Sequence, residues 1–304
     1  MTASRRPADG ALFDLSRRAK LRVGGRDRLR FLNGQLTNDA RKASESEALE
    51  ACILNAKGKM DAHLFLTAEP DSFLLDADSE LRGSLPQRLE RYIIADDVEV
   101  KDVTDELSIL HIFDPERPSL GREYRLTSAN RFGGPGWDVW VAGDHREGMV
   151  AELFEQFGFC GPDCSEIFRL EQGIPHWGRE LTPEIIPIEA NLEGRCIDYD
   201  KGCYIGQETI SRMKMSGQTN KRLCGLVAAA GAPLAQGVRL YGGAECAKEV
   251  GWITSAGDNA RLGKTIALGY VKRGFNSPGT SLAATAAADA PNPVSVQIVD
   301  LPFR

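Results

Sequence analysis

The hydrophobic pattern of this chain changes near residue 222, and that change constrains the fold more than any other feature. Up to that point, segments with the alternation of β-strands mix with segments of helical spacing, without a regular strand–helix alternation. Beyond it, short apolar segments are separated by turns rich in glycine and proline, a pattern typical of a small β-barrel or sandwich. The sequence therefore predicts an α+β body over residues 1–222 and a β-barrel domain over residues 223–304.

Two elements of the body can be predicted with defined ends. An apolar strand, a turn at Asn55 to Lys59 and a second, alternating strand predict a β-hairpin. Further along the chain, the helical spacing predicts a helix that is capped by Ser165 and ends at Gly173. This second element would place Glu171 in the last turn of its helix.

Composition excludes several classes of protein. The chain has 304 residues, of which 42% are hydrophobic, so it can bury a substantial core. Its net charge of −6 argues against direct nucleic-acid binding, and it has no apolar run of about twenty residues that would cross a membrane. No apolar segment follows the basic residues at the N-terminus, so we expect no secretory signal and a cytoplasmic location. The seven cysteines, an odd number, predict free thiols and not a disulfide framework.

The run DKGCYIGQET, residues 200–209, is the strongest candidate for a reactive site. The thiolate of Cys203 would be the reactive form, and the neighbouring cation of Lys201 would lower the pKa of the thiol. Gly202 and Gly206 would allow a sharp turn that exposes the sulfur. The same run is also compatible with a turn that merely contains a cysteine.

Glu171, in the run FRLEQGIPHWGREL, is a candidate ligand-binding carboxylate. A carboxylate just before a glycine can accept paired hydrogen bonds from an amino-heterocycle such as a pterin or guanine. The alternative is an ordinary helix C-terminus that binds nothing. Downstream, Arg212 and Lys214 belong to a group of cations that could hold an anionic ligand tail. That group is equally compatible with a solvated basic segment.

The cysteines and histidines do not predict a permanent metal site. Cys160 and Cys164 form a C-x3-C pair, with Cys196 and Cys203 further along, but a structural zinc site needs two tight pairs or a Cys/His set. The four histidines are scattered over the chain. A transient contact between Cys203 and an iron–sulfur cluster is compatible with the chemistry, because thiolates are the usual cluster ligands.

The run KGCYIGQE resembles the signature of the YgfZ-type branch of the glycine-cleavage T-protein family, folate-binding proteins tied to the maintenance of iron–sulfur enzymes. The runs GIP, IPIEANL, SRMKMSG and NKR around it are similar to that branch and stand in the same order. The N-terminal LSRRAKLRVGGRDRLRFLNGQLTND and the later VGWITSA and ALGYV resemble the family's opening and its barrel. The resemblance implies an aminomethyltransferase-like, folate-binding α+β body with a C-terminal β-barrel, packed around a central opening.

The resemblance also implies roles for particular residues. Cys203 matches the functional cysteine of the branch, and Glu171 matches the glutamate with which T-proteins contact the pterin. The implied cofactor is tetrahydrofolate or a derivative, with Arg212 and Lys214 as further binding residues and no permanent metal. The motif that presents Cys203 comprises Lys201, Gly202, Tyr204, Gly206, Gln207 and Glu208.

One departure from the family favours an accessory role over aminomethyl transfer. Aminomethyltransferases of this family carry paired aspartates after N-x-K-G, whereas here the aligned positions are Ala62 and His63, with Asp61 displaced by one. A displaced carboxylate cannot polarise the same folate nitrogen. We therefore expect an accessory protein, not a conventional enzyme, that serves iron–sulfur cluster assembly or repair in client enzymes, including those that modify tRNA. The alternatives are a folate-dependent aminomethyl- or methyltransferase and a scaffold that has lost its ligand.

Overall fold

This computed structural model describes residues 10–121, 124–142, 146–242, 248–285 and 293–304, without the side chains of residues 146 and 147. The strands in these ranges form two sheets and a closed barrel. The prediction that the chain has no secretory signal rests on the N-terminal residues, and residues 1–9 lie outside these ranges. So do His145, Cys246 and the end of the alanine-rich segment.

The body contains strands and helices in mixed order, as the pattern predicted. Its strands are β1 (Ala11–Asp14), β2 (Ala19–Gly24), β3 (Leu49–Leu54), β4 (Met60–Ala68), β5 (Phe73–Ala77), β6 (Glu99–Asp102), β7 (Leu107–Phe113), β8 (Arg125–Ser128), β9 (Trp137–Ala142) and β10 (Gly158–Phe159). Its helices are α1 (Arg28–Gln35), α2 (Ser84–Glu90), α3 (Arg146–Gln156), α4 (Pro162–Gln172), α5 (Glu193–Cys196) and α6 (Gln207–Ser216), with short 3-10 turns at Ala40–Lys42 and Ser79–Leu81.

The body strands form two five-stranded sheets. The first sheet has the order β3-β4-β5-β2-β6, and the second has the order β10-β1-β7-β9-β8. The predicted hairpin is confirmed as β3–β4, which is closed by hydrogen bonds of 2.9 Å from Asn55 N to Lys59 O and from Gly58 N to Asn55 O. Leu74 of the first sheet packs with Ile109 and Trp140 of the second in one buried cluster, so the sheets share a core.

The barrel has the closed strand order β11-β14-β13-β12-β15-β16 and its own apolar interior. Its first strand begins two residues before the predicted start of the domain. Tyr270 and Phe303 pack outward into the cluster that also covers the first sheet and its helices, so the barrel is joined to the body by apolar contact. No helix in the described ranges is long and apolar enough to span a membrane. The barrel strands are β11 (Lys221–Ala229), β12 (Arg239–Gly242), β13 (Lys248–Asn259), β14 (Lys264–Lys272), β15 (Ser281–Thr285) and β16 (Val294–Val299).

Helix α4 ends where the sequence predicted but begins earlier. Gly173 closes it in the left-handed conformation, with φ of 71°, which glycine adopts without a steric cost. The predicted cap at Ser165 is wrong, because the helix begins at Pro162 after Gly161. Proline suits the first helical position, since the N–H that it lacks would have had no partner inside the helix.

One pair of cysteines departs from the prediction of free thiols. Cys160 and Cys164 form a disulfide across the start of α4, with their Cα atoms 5.3 Å apart. Cys160 lies two residues before Pro162 and Cys164 lies in the first turn of the helix, which brings the two Cα atoms within the range that a disulfide spans. Cys52, Cys196 and Cys224 are buried free thiols and Cys203 is an exposed one.

Arg131 joins the two sheets through buried ion pairs. Its guanidinium donates to Asp76 of β5 at 2.8 and 2.9 Å and to Asp138 of β9 at 2.5 to 3.0 Å. All three side chains are almost completely buried. Burial alone would raise the pKa of Asp138, but the charge of Arg131 outweighs it and holds that pKa at about 2.

Arg131→Met should reduce the free energy of unfolding by about 3–5 kcal/mol, because it removes the guanidinium that pairs with buried Asp138 and leaves buried Asp76 with Arg18 alone. The deficit should shrink as the pH is lowered from 7 to 4, since protonation relieves the carboxylates that have lost Arg131. Urea unfolding at both pH values measures this. Arg82→Met is the matched control, because it breaks exposed ion pairs with Asp102 and Asp105 and should change stability little. Equal losses in the two variants would contradict the structural role of Arg131.

Candidate functional site

A cavity of about 500 Å³ opens between the two sheets and helix α4. This volume lies within the range of about 300–1,000 Å³ that holds small-molecule ligands. A second cavity, of about 590 Å³, lies between the barrel and the C-terminal residues 299–304. We take the first as the candidate site because it gathers convergent charged and aromatic side chains, among them Glu50, His63, Phe65, Asp78, Arg131, Glu166, Arg169, His176 and Trp177.

The charged groups of the cavity wall are paired with one another. Arg169 donates to Glu166 at 2.5 Å and to Glu180 at 3.0 Å, and His176 lies 3.2 Å from Asp78. The guanidinium carbon of Arg131 lies 4.2 Å from the ring centroid of Phe65, which holds that ring flat against a cation. The wall is therefore polar, and its charged groups are held in place by one another.

His63 and Glu50 form a buried pair in this wall. The β3–β4 register sets Cys52 opposite His63 and Glu50 opposite Phe65, so these side chains share one face of the hairpin. His63 Nε2 lies 2.7 Å from Glu50 Oε1, which also lies 3.2 Å from Arg195. Burial disfavours the imidazolium, but the contacts with Cys196 and Glu50 outweigh it and raise the pKa of His63 to about 9.

Strand β4 contributes no aspartate to the cavity lining. Of its side chains, His63 and Phe65 line the cavity. Asp61 instead accepts a hydrogen bond of 2.6 Å from Arg88, which also donates to Gln35 and to a backbone carbonyl of β3. Asp61, the carboxylate displaced by one position, is therefore held by Arg88 and does not line the cavity.

The loop that carries Cys203 is fixed to the first sheet and to α1. Ile205 N donates to Gly34 O at 3.2 Å, and the side chain of Tyr204 is buried beneath the loop. Gly206 has a φ of 84°, and a Cβ atom there would lie 2.6 Å from Asn55 O in the hairpin turn. Cys203 itself is exposed and is not among the residues that line the cavity.

Lys201 positions this loop and does not contact the thiol through its N–H groups. Its ammonium donates to the carbonyls of Asn33, Leu36 and Asn38 at 2.9, 2.6 and 2.7 Å, which uses all three of its donors. The carbonyls of Asn33 and Leu36 lie at the C-terminal end of α1, where a cation is favoured, and that of Asn38 follows the helix. Burial lowers the pKa of Lys201 to about 8. These contacts give Lys201 an anchoring role in the loop, and its predicted effect on the thiol of Cys203 stays a prediction.

Glu171 lies at the joint between α4 and the barrel. Its carboxylate accepts from Asn259 Nδ2, at the end of β13, at 2.9 Å and lies 2.6 Å from Arg261, in the turn that follows β13. It is 4% exposed and is not among the residues that line the cavity. The predicted contact between Glu171 and a pterin stays a prediction, and the structure does not bring Glu171 together with Cys203.

The other predicted residues lie on α6, away from the cavity lining. Gln207 begins this helix, and Glu208 and Arg212 form an exposed ion pair of 2.6 Å one turn apart. Lys214 Nζ lies 3.3 Å from the ring centroid of Tyr199. Gly202 has ordinary backbone angles and open space around it. The α6 cations therefore form a surface beside the Cys203 loop.

Sequence reasoning missed the cluster of Glu50, His63 and Cys196. The predicted hairpin contained the signal, because a turn at Asn55 to Lys59 sets the register that places Glu50 and His63 on one face. Cys196 comes from a separate helix, and no pattern along the chain links it to the hairpin.

Gly206→Ala should reduce the free energy of unfolding by about 2–4 kcal/mol, because alanine is strained at positive φ and its methyl group would meet the hairpin turn. Urea unfolding measures the loss, and Cys203 should react faster with a thiol reagent as its loop loosens. Gly202→Ala is the control from the same motif and should change neither quantity appreciably. A Gly206→Ala variant as stable as the native protein would contradict the packing described for this loop.

Comparison with known proteins places this geometry in context. Residues 221–304 match the glycine cleavage T-protein C-terminal barrel domain. An aminomethyltransferase of Streptomyces coelicolor is 25% identical over 324 aligned residues, which cover 96% of this chain and 86% of that protein. A mitochondrial iron–sulfur cluster assembly factor IBA57 homolog of Dictyostelium discoideum is 25% identical over 248 residues, which cover 69% of this chain and 60% of that protein.

A solved structure shares the fold. The crystal structure of glycine cleavage system aminomethyltransferase T from Bartonella henselae superposes with a TM-score of 0.85 at 20% identity, covering 98% of this chain and 87% of that one. The predicted fold class, an aminomethyltransferase-like body with a C-terminal β-barrel, is confirmed. The chain is thus similar to the glycine cleavage T-protein over its barrel and to an aminomethyltransferase over most of its length, and it shares the fold of this structural neighbour.

Proposed function

We propose that this protein is a folate-binding accessory protein that serves iron–sulfur cluster assembly or repair in client enzymes, including tRNA-modifying ones, and acts through Cys203. The observation that carries the proposal is the exposure of Cys203. Within the described residues it is the one exposed free cysteine, and it stands on a loop that several long-range contacts hold in place.

A single exposed thiol suits a transient role. Thiolates are the usual ligands of iron–sulfur clusters, but a permanent cluster takes four ligands. Cys203 would therefore supply one ligand or one reactive sulfur while a client enzyme or an assembly protein supplies the others. The α6 cations beside it, Arg212 and Lys214, would meet that partner. The IBA57 homolog among the relatives is named as an iron–sulfur cluster assembly factor, which supports this direction.

The cavity between the sheets fits the folate that the family resemblance implies. A pterin needs a carboxylate acceptor for its amino group and apolar faces for its ring. Glu50, Asp78 and Glu166 offer acceptors in the wall, and Phe65 and Trp177 offer ring faces. Arg17, an exposed residue of the lining, would meet the anionic tail of the ligand.

An aminomethyltransferase is the second candidate, favoured by relatives of that name. Against it stands the chemistry of the cavity wall. Folate-dependent aminomethyl transfer would need a carboxylate free to take part in proton transfer, and β4 presents His63 at the aligned position. Glu50, the nearest carboxylate, is already paired with His63 and Arg195. We propose the cytoplasm as the site of action, as the sequence led us to expect.

Ser165→Trp should abolish tetrahydrofolate binding in anaerobic titration calorimetry, because Ser165 lines the cavity and the indole would fill it. Ser165→Ala is the steric control and should bind like the native protein. Glu171→Gln and Cys203→Ala should also retain binding, since neither residue lines the cavity. Loss of binding in a folded Glu171→Gln variant, with binding kept in Ser165→Trp, would move the pterin to the barrel joint. No binding to the native protein would leave the scaffold alternative in its place.

Cys203→Ala and Cys203→Ser should both fail to restore iron–sulfur enzyme activity in cells that lack the native protein. The defect would be chemical, because an exposed side chain contributes little to stability. Thermal unfolding of the purified variants should match that of the native protein. Cys224→Ser, which removes a buried thiol of the barrel, is the control for general cysteine loss and should restore activity. Full restoration by either Cys203 variant would remove the thiol from the mechanism.

A further inference from the structure

Three side chains of metal-binding type converge in the cavity wall, although the sequence predicted no metal site. One ligand atom each of Glu50, His63 and Cys196 lies within 4.8 Å of the other two. Glu50 and His63 line the cavity, and Cys196 is completely buried behind them. The thiol role proposed above does not use this cluster, and the folate role uses only Glu50, as one of three acceptors in the wall.

Separate rigid elements hold the three ligands. Glu50 and His63 stand on neighbouring strands in fixed register, and Cys196 ends helix α5. Thr37 Oγ1 donates to Cys196 O at 2.6 Å and accepts from Cys52 N at 2.9 Å, so it ties the end of α5 to β3. Such preorganisation is what a binding site needs, because the ligands do not have to be gathered when the ion arrives.

The donor set matches one class of ion. An imidazole nitrogen, a thiolate and a carboxylate together favour zinc and related first-row ions over calcium or magnesium, which prefer oxygen ligands. Glu50 and the thiolate of Cys196 bring two negative charges to a divalent cation, and Cys196 and His63 release their protons to solvent when the ion binds. Arg195, 3.2 Å from Glu50, supplies the kind of outer hydrogen-bonding partner that orients a ligating carboxylate.

We propose that Glu50, His63 and Cys196 form a site for a divalent transition-metal ion of the zinc class. Three protein ligands leave one position of a tetrahedral ion unfilled, as in catalytic zinc sites. Because Glu50 and His63 line the cavity while Cys196 closes the site from behind, that position faces the cavity. The ion would meet whatever the cavity holds, by Lewis-acid contact or through a bound water. This inference does not depend on folate binding or on Cys203.

Cobalt(II) is the probe, because a cobalt–thiolate bond gives a charge-transfer absorption that reports the sulfur ligand directly. The chelator-treated full-length protein should bind one Co²⁺ with this absorption, and Zn²⁺ should displace it. Cys196→Ser should abolish the absorption and weaken Co²⁺ binding by more than about 100-fold, since loss of even an outer-shell partner typically costs about 10- to 100-fold. Cys203→Ser and Cys224→Ser, which remove the exposed and the barrel thiol, should bind Co²⁺ as the native protein does.

A second readout covers the case in which Cys196→Ser is poorly folded. An ion that binds only the native state raises the unfolding temperature, so Zn²⁺ should stabilise the native protein and Cys203→Ser but not His63→Gln. Circular dichroism in the presence of a chelator checks that each variant is folded before metal is added. The proposal is overturned if the native protein binds no stoichiometric Co²⁺, if its absorption is lost in Cys203→Ser and kept in Cys196→Ser, or if His63→Gln binds as well as the native protein. The cluster would then be a hydrogen-bonded structural group only.

Discussion

The structure depends on the buried ion pairs of Arg131. Two sheets that share an apolar core would ordinarily close over any space between them, because an empty cavity costs packing energy. Arg131 bridges Asp76 of one sheet and Asp138 of the other and stands in the cavity wall at the same time. These ion pairs compensate the buried charges of the cavity wall and link the two sheets across it. The cavity is therefore a built feature of the body, and its shape follows from where the charges are paired.

The β3–β4 hairpin connects the cavity to the Cys203 loop. Its strands carry His63 and Glu50 into the cavity wall. Its turn packs so closely against Gly206 that a Cβ atom at that position would clash with the backbone of the turn. Anything that shifts the hairpin would act on both places at once. The hairpin is therefore one rigid element that both parts of the proposed function share, the ligand in the cavity and the thiol at the surface. It also explains why the motif needs glycine at position 206, where backbone packs on backbone.

Features that depend on neighbours along the chain could be predicted, and features that depend on distant partners could not. The hairpin, the end of α4 at Gly173 and the strand-rich barrel each have a local pattern that fixes them. The predicted effect of Lys201 on the thiol of Cys203 rests on the closeness of the two residues in sequence. The carbonyls that hold it belong to residues more than 160 positions away, and no spacing rule anticipates them. Glu171 was likewise interpreted from its own helix, whereas the barrel supplies its partners.

His63 sets the chemistry of this part of the cavity wall. An aspartate at this place in the wall would stand beside Glu50 as a second anion, and the two like charges would raise each other's pKa and favour a shared proton. Histidine instead pairs with Glu50, so the carboxylate becomes a poorer proton acceptor while an imidazole and a nearby thiol become available as ligands. With histidine at this place, the wall has less acid–base capacity than a pair of carboxylates would give it, and it gains the ligands of the proposed metal site. On this argument, the cavity can hold a ligand although His63 and Glu50 offer it no free carboxylate for proton transfer.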